Sequence, residues 1–299
     1  EDGIKGKTNR ANIQFLTAEE ASEIAGIVLQ TPAIYFPKLG WLNPHVLCQR
    51  LINHENISFI GNTNVSHLER IDNRDRNSKE NTWNVIDENN NTVIATENVV
   101  MAMASNAKQF LQTKDLQLKD IRGQISQVSA TDSDIGLQTV LCGDGYIAPP
   151  DINGKFTLGA TFTLHNNDLS VTDEDNDKNF FLMMESIPSL KKSLGHVKKE
   201  NIEGRTGVRC TTPDYLPIVG PVHNHQNFLD EYSFLKKNAN ASIPMAGSYY
   251  DNLFINVGYG SRGLAYAPLC SEFLAAQMNG DIWPISRSLS TALHPGRFT

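Results

Sequence analysis

The sequence predicts a mixed α/β fold with a substantial antiparallel sheet, laid out as two interleaved domains with no single boundary between them. Three observations predict it. Residues 98–103 form a near-continuous apolar run, the mark of a strand buried on both faces. Residues 121–128, 146–147 and 156–162 alternate apolar and polar, as strands with one covered face do. Near the end, an apolar strand at Ile255-Asn256-Val257 runs into Gly258-x-Gly260-x-x-Gly263 and then into helical periodicity through Met278.

The elements follow in order. Residues 17–29 read as a helix: Thr17 can cap it, Glu20 is its capping-box partner, and Ala21, Ile24, Ala25 and Val28 form the apolar stripe. Residues 33–36 are a short strand stopped by Pro37. Leu39-Gly40-Trp41-Leu42-Asn43 is a turn, and Pro44 suits the first turn of a helix to Ile52. Residues 57–68 read as strand material. Residues 83–86 and 92–95 flank Asp87-Glu88-Asn89-Asn90-Asn91, a hairpin signal. The acidic, Asn-rich run 168–177 reads as a solvated loop entering a helix at Thr172, and residues 180–194 continue that helix.

Composition bounds the function. The 299 residues can bury a sizeable core, with 40% hydrophobic and 20% charged residues. No apolar run approaches the roughly 18 residues that cross a bilayer. A net charge of −7 provides no broad footprint for nucleic acid. Cys48, Cys142, Cys210 and Cys270 are scattered, which argues against a zinc site or disulfide framework and for reduced thiols in the cytoplasm.

The glycine motif is the literal dinucleotide fingerprint, but it closes the sequence instead of opening a βαβ unit. Asp281, at the spacing of the ribose-binding acid, falls in a turn before Trp283-Pro284. The motif therefore reads as a ligand-facing loop at a helix N-terminus, where close backbone approach and the helix dipole favour negative or electron-rich groups. Arg209, inside an apolar strand-like stretch, needs an anion: either a neighbouring carboxylate or a substrate carboxylate held by its planar fork. Arg262 poses the same question within the loop. Tyr146 is either a packed aromatic or a ligand contact. His165, His223 and His225 read as loop histidines.

Six motifs occur in one order: Gly40-Trp41-Leu42-Asn43-Pro44, Arg122-Gly123-Gln124, Gly143-Asp144-Gly145-Tyr146, Gly159-Ala160-Thr161-Phe162, Gly207 to Gly220, and Gly260-Ser261-Arg262-Gly263-Leu264-Ala265 to Cys270. Together they resemble the FAD-dependent oxidoreductase portion of the MnmC family of bifunctional tRNA-modifying proteins, of the glycine oxidase and D-amino-acid oxidase class. The similarity continues through Leu293-His294-Pro295-Gly296-Arg297-Phe298. The resemblance implies a D-amino-acid-oxidase-like fold, with residues 1–40 and 121–208 in the substrate-binding domain and 41–120 and 209–299 in the FAD-binding domain. The family opens with a strand–glycine-loop–helix unit for the FAD pyrophosphate. The expected fold lacks that first βαβ unit, and the chain alone is expected to be colourless. Where the family reads Ala-Asn-Gly, this sequence has Ala102-Met103-Ala104.

The resemblance further implies FAD as cofactor and tRNA as partner, with a methyltransferase domain on the same protein and no metal. The substrate would be 5-carboxymethylaminomethyl-2-thiouridine at the wobble position, cleaved oxidatively to glyoxylate and a 5-aminomethyl group. Gly258, Gly260, Ser261, Arg262, Gly263, Leu264 and Val65 would line the cofactor. Arg209 and Arg262 would hold the substrate carboxylate, and Tyr146 would donate its hydroxyl to it. The alternatives are a non-catalytic remnant and a free glycine or sarcosine oxidase.

Overall fold

A computed structural model describes residues 12–71, 82–164, 166, 168–244 and 246–299. The chain divides into two compact units, Glu1–Ile57 with Arg122–Val208, and Ser58–Ile121 with Arg209–Thr299. Residues 41–57, expected with the FAD-binding segments, fall in the first unit.

The first unit opens with strand β1 (Gln14–Leu16), helix α1 (Ala18–Ala25) and β2 (Ala33–Tyr35), which pairs antiparallel with β1. Thr17 caps α1 as expected: its hydroxyl accepts from the Glu20 N–H, and the Glu20 carboxylate accepts from the Thr17 N–H at 2.8 Å. The helix stops at Ala25, short of the predicted Leu29. Gly26 takes the left-handed conformation there, and the Gln138 N–H bonds the Ala25 carbonyl at 2.9 Å. Helix α2 (Pro44–Ile52) has Asn43 as its cap and Pro44 in its first turn, as predicted.

The second unit begins with β3 (Val65–Ile71), β4 (Thr82–Asp87) and β5 (Thr92–Thr96), an antiparallel sheet in the order β3-β4-β5. The predicted hairpin is there. The Asp87 carboxylate accepts from the Asn89 and Asn91 N–H groups and fixes its turn. Of the expected strand over 57–68, only Val65 onward pairs. Strand β6 (Val99–Met101) is a correction to the doubly buried expectation. It lies at the edge of its sheet, and Val100 is 41% exposed while Met101 is buried.

Strand β7 (Lys119–Ser129) leads into the first unit's main sheet with β8 (Leu141–Cys142), β9 (Tyr146–Ala148), β10 (Lys155–Gly159) and β11 (Thr163–Leu164). Their order is β11-β7-β10-β9-β8. Helix α3 (Asp173–Ser186) is capped by Thr172, and α4 (Leu190–Leu194) follows. The predicted single helix over 180–194 is thus two. Pro188 cannot donate the bond that would carry α3 onward. The core of this unit gathers Val128, Ile147, Phe156 and Leu158 from the strands against Phe180, Met183, Leu190 and Leu194 from the helices.

Strand β12 (Ile202–Thr211) pairs with β7, and from Arg209 the chain belongs to the second unit again. There β13 (Ile218–His223), α5 (His225–Glu231), β14 (Tyr249–Val257), α6 (Gly263–Asn279) and α7 (Arg287–Leu293) complete the order. The sheet runs β13-β14-β6, antiparallel and then parallel. One core cluster joins Leu68, Trp83 and Met101 with Ile218, Leu253, Ile255 and Val257, and a second packs Phe273 and Leu274 of α6 on Val219 and Leu293.

Candidate active site

Strand β14 delivers the glycine loop by simple alternation. Leu253, Ile255 and Val257 bury one face in the core, and the chain then turns at Gly258 (φ 86°) and Gly260 (φ 55°). Both angles lie in the left-handed region that glycine adopts without penalty. A Cβ on Gly258 would also meet the Thr212 methyl at 3.0 Å, so the position is closed to any side chain. The loop is tied down from beside it. The Gly260 N–H donates to the Cys210 carbonyl at 2.7 Å, and Tyr259 bridges to Thr211.

Helix α6 starts at Gly263, with Arg262 as its cap residue and no side chain satisfying the first turn. The N–H groups of such a turn have no partner within the helix. No acidic side chain occupies that turn, so the positive end of the dipole is unneutralised. Ser261, Arg262 and Leu264 are exposed, and Gly263 half-buried. The Arg262 guanidinium donates to the Tyr266 hydroxyl at 3.3 Å, a neutral partner. The arrangement can hold a negative or electron-rich planar edge against backbone donors.

Of the predicted site residues, Gly258, Gly260, Ser261, Arg262, Gly263 and Leu264 form this one loop. Arg209, half-buried on β12, directly precedes the Cys210 that anchors it. Val65, at the start of β3, packs on the same unit's core cluster. Tyr146 belongs to the other unit, on β9, where a Cβ on Gly159 would come within 3.0 Å of its hydroxyl oxygen. Ala104, where the resemblance implies a glycine, has φ 53°, a conformation that favours glycine.

Two thiols and a phenol beside the loop are held neutral. Burial pushes the Cys210 and Cys270 thiols up, and it drives the Tyr259 phenol well above its usual range. His223 is a correction to the loop expectation. It ends β13, is buried, and burial with the charges of His225 and His294 lowers it to about 4. His225 opens α5, and His165 lies outside the described residues. Cys210, Cys270, Tyr259 and His223 are thus each shifted towards the neutral form. Among the described residues, no cluster of His, Cys, Asp and Glu could hold a metal ion, and no helix is long and apolar enough to cross a membrane.

Sequence reasoning missed a buried polar network in the first unit. Arg122 is 3% exposed. It donates to the Asp168 carbonyl (2.5 Å), the Ser170 carbonyl (2.6 Å) and the Asp175 carboxylate (2.5 Å). Burial raises the Asp175 pKa, but the Arg122 and Thr172 hydrogen bonds and the Arg122 charge outweigh it, and the net shift is downward. Beside this pair, Gln124 and Ser126 of β7 bond Asn176 and Asn179 of α3. The acidic run is exposed over 168–174 and enters α3 at Thr172, as expected, and its carbonyls also close over a buried cation. The signal available was Arg122 itself, a charge within an alternating strand.

Comparison with known proteins gives a family, close relatives and a fold. A family model described as FAD dependent oxidoreductase matches residues 3–277. The chain is 38% identical to the tRNA 5-methylaminomethyl-2-thiouridine biosynthesis bifunctional protein MnmC of Pseudomonas entomophila, over 96% of this chain and 42% of that protein. The protein of the same name from Chromobacterium violaceum is also 38% identical, over 95% of this chain and 42% of its own length. The chain thus spans less than half the length of these relatives. Among solved structures, glycine oxidase from Geobacillus kaustophilus superposes with a TM-score of 0.68 at 18% identity, covering 96% of this chain and 67% of that one. Iminodiacetate oxidase from Chelativorans sp. gives 0.68 at 19% identity, over 98% and 69%. At these identities the likeness is one of fold.

Proposed function

The chain belongs to the FAD-dependent oxidoreductase family, and on that premise we propose that it carries out the oxidative step of a tRNA wobble-uridine modification. The step removes the carboxymethyl group from 5-carboxymethylaminomethyl-2-thiouridine and leaves a 5-aminomethyl group. The relatives' own name, which couples tRNA to 5-methylaminomethyl-2-thiouridine, supports the substrate. A methyltransferase portion of the same protein and a cytoplasmic setting complete the proposal.

The observation that carries it is the uncapped glycine loop. Gly258 and Gly260 leave a bare backbone, no acid competes for the helix end, and the first-turn N–H groups have no partner within the helix. That donor set fits the polar edge of a flavin. Bound FAD would supply the two-electron oxidation, with dioxygen as the final oxidant. The loop N–H groups and the α6 dipole would stabilise negative charge as it develops, at about 3 kcal/mol for a well-placed donor. The guanidinium forks of Arg209 and Arg262 would grip the substrate carboxylate, with the α-carbon held for loss of hydride. The amine would lose its proton, and water would hydrolyse the resulting imine to glyoxylate and the aminomethyl product. Tyr146 is proposed as a hydroxyl donor on the resemblance alone.

The test is turnover by the complete, FAD-loaded protein on tRNA carrying carboxymethylaminomethyl-thiouridine, read by nucleoside mass spectrometry, beside sarcosine as competitor. Conversion of the tRNA nucleoside with release of glyoxylate is the expected result. Oxidation of sarcosine with the tRNA untouched would instead show a free amino-acid oxidase.

A further inference from the structure

The final residues of the chain reach back to the segment that supports the glycine loop. Arg297 Nε donates to Asp214 Oδ2 at 2.9 Å and Nη2 to Oδ1 at 3.0 Å, a two-pronged pairing. Nη2 also donates to the Leu216 carbonyl at 2.7 Å. The guanidinium carbon lies 4.3 Å from the centre of the Phe298 ring, and Phe298 packs on the core cluster that holds Val257 and Cys210. A cation held by two acceptor groups and an aromatic face has little freedom.

Asp214 passes this restraint onward. Its Oδ1 accepts from the Leu216 N–H at 3.0 Å and lies 2.9 Å from the Thr212 hydroxyl, which also reaches the Leu216 carbonyl at 2.7 Å. Thr212 is 1% exposed. Its methyl is the group a Cβ on Gly258 would strike at 3.0 Å. A run of hydrogen bonds thus joins Arg297, Asp214 and Thr212, and the Thr212 methyl fills the space where a Gly258 side chain would stand. The neighbouring residues Cys210 and Thr211 hold Gly260 and Tyr259.

We propose that Asp214 and Arg297 are positioning residues: a clip through which the C-terminal turn fixes the Gly258–Gly263 loop at its working height. The function of that height rests on the loop being the flavin-facing element. Neither residue touches substrate or cofactor in this assignment. Lys in place of Arg297 keeps the charge but cannot meet two carboxylate oxygens and a carbonyl in one plane.

The experiment is hydrogen exchange read by mass spectrometry on the full chain without ligand, comparing wild type with Asp214→Asn, Arg297→Lys and the exchanged pair Asp214→Arg/Arg297→Asp. Peptides over residues 258–264 are expected to exchange at least tenfold faster in the single variants. Peptides over residues 270–279, in the same helix, should keep the wild-type rate, and the exchanged pair should recover part of the loop's protection. An unchanged loop overturns the clip, and so does an equal acceleration across the whole second unit, which would show mere destabilisation. A parallel measurement on FAD-saturated protein separates the clip from the reading it rests on. Local loosening with an unshifted flavin absorbance spectrum would leave the clip standing and remove the loop from the flavin.

Discussion

Replacing Asp175 by Asn should destabilise the first unit by about 3–5 kcal/mol, the cost of leaving a buried charge without its partner. The structure sets this scale. The Arg122 side chain is 4% exposed and that of Asp175 16%, so water cannot replace the lost carboxylate. The two carbonyls that Arg122 also bonds carry only partial charge. Arg122→Lys should cost less, about 3 kcal/mol, since the charge stays but the fork that meets three acceptors is lost. Arg122→Met with Asp175→Leu should cost less than Asp175→Asn, because no ion is left buried alone. Equilibrium urea unfolding at pH 7 measures all four proteins. Hydrogen exchange over residues 168–179 shows whether the loss is centred on the loop and the start of α3. Asp175→Asn within about 1 kcal/mol of wild type would refute the buried pair as a structural keystone, as would a double variant less stable than Asp175→Asn.

Three further outcomes follow from the second unit. Burial raises the Asp214 pKa, but hydrogen bonds from Arg297, Leu216 and Thr212 outweigh it and bring the carboxyl from 3.8 to about 2. The stability it contributes is full above pH ~4 and is lost as pH falls towards ~2. Because the side chain is 37% exposed, the contribution is discounted to about 1 kcal/mol; the stability–pH curve of Asp214→Asn should be flatter by that amount, and an unchanged curve counts against it. Gly258→Ala should lower stability by about 1–3 kcal/mol, since it combines a φ of 86° with a contact at 3.0 Å; an undiminished melting temperature would show that the loop can relax. In FAD-loaded protein, Arg209→Lys should weaken substrate binding by about 1.5–3 kcal/mol through loss of its fork, and unaltered turnover on modified tRNA would leave Arg209 a structural ion-pair residue.

Local chemistry was legible wherever a residue's role is decided by its near neighbours. Thr17 and Glu20 announce the cap of α1, Asn43-Pro44 the start of α2, and Asp87 with its asparagines the hairpin turn, and each is built from bonds within four residues. The glycine loop was legible for the same reason, because positive φ and an open helix end are properties of a short stretch of chain. What failed depends on distant partners. The backbone at Gly26, which closes α1 in the left-handed conformation, lies against the Gly136 carbonyl, whose oxygen an added Cβ would meet at 2.2 Å. The apolar run over 98–103 gave no sign that Val100 would face outward from an edge strand. The acidic run could not show that its carbonyls converge on Arg122, since the cation lies about fifty residues away along the chain. The Arg297 clip was invisible likewise: an Arg near a chain end looks like a surface charge until Asp214 is placed against it.

The pairing of β6 with β14 also has a consequence in time. Val99 lies beside Leu253, and the core they share takes Leu68 and Trp83 from one end of the sequence and Ile255 and Val257 from the other. A ribosome adding about 5–20 residues per second takes roughly 7–30 s to make the stretch between the two strands. The intervening residues from Arg122 to Val208 belong to the other unit. Throughout that interval the apolar side chains of residues 65–118 wait for a partner strand that does not yet exist. The glycine loop forms only once that strand has arrived, and the Arg297 clip forms later still. The unit that holds the loop is thus the slow half of the molecule to assemble, and its unfinished first segment is the surface a chaperone would meet.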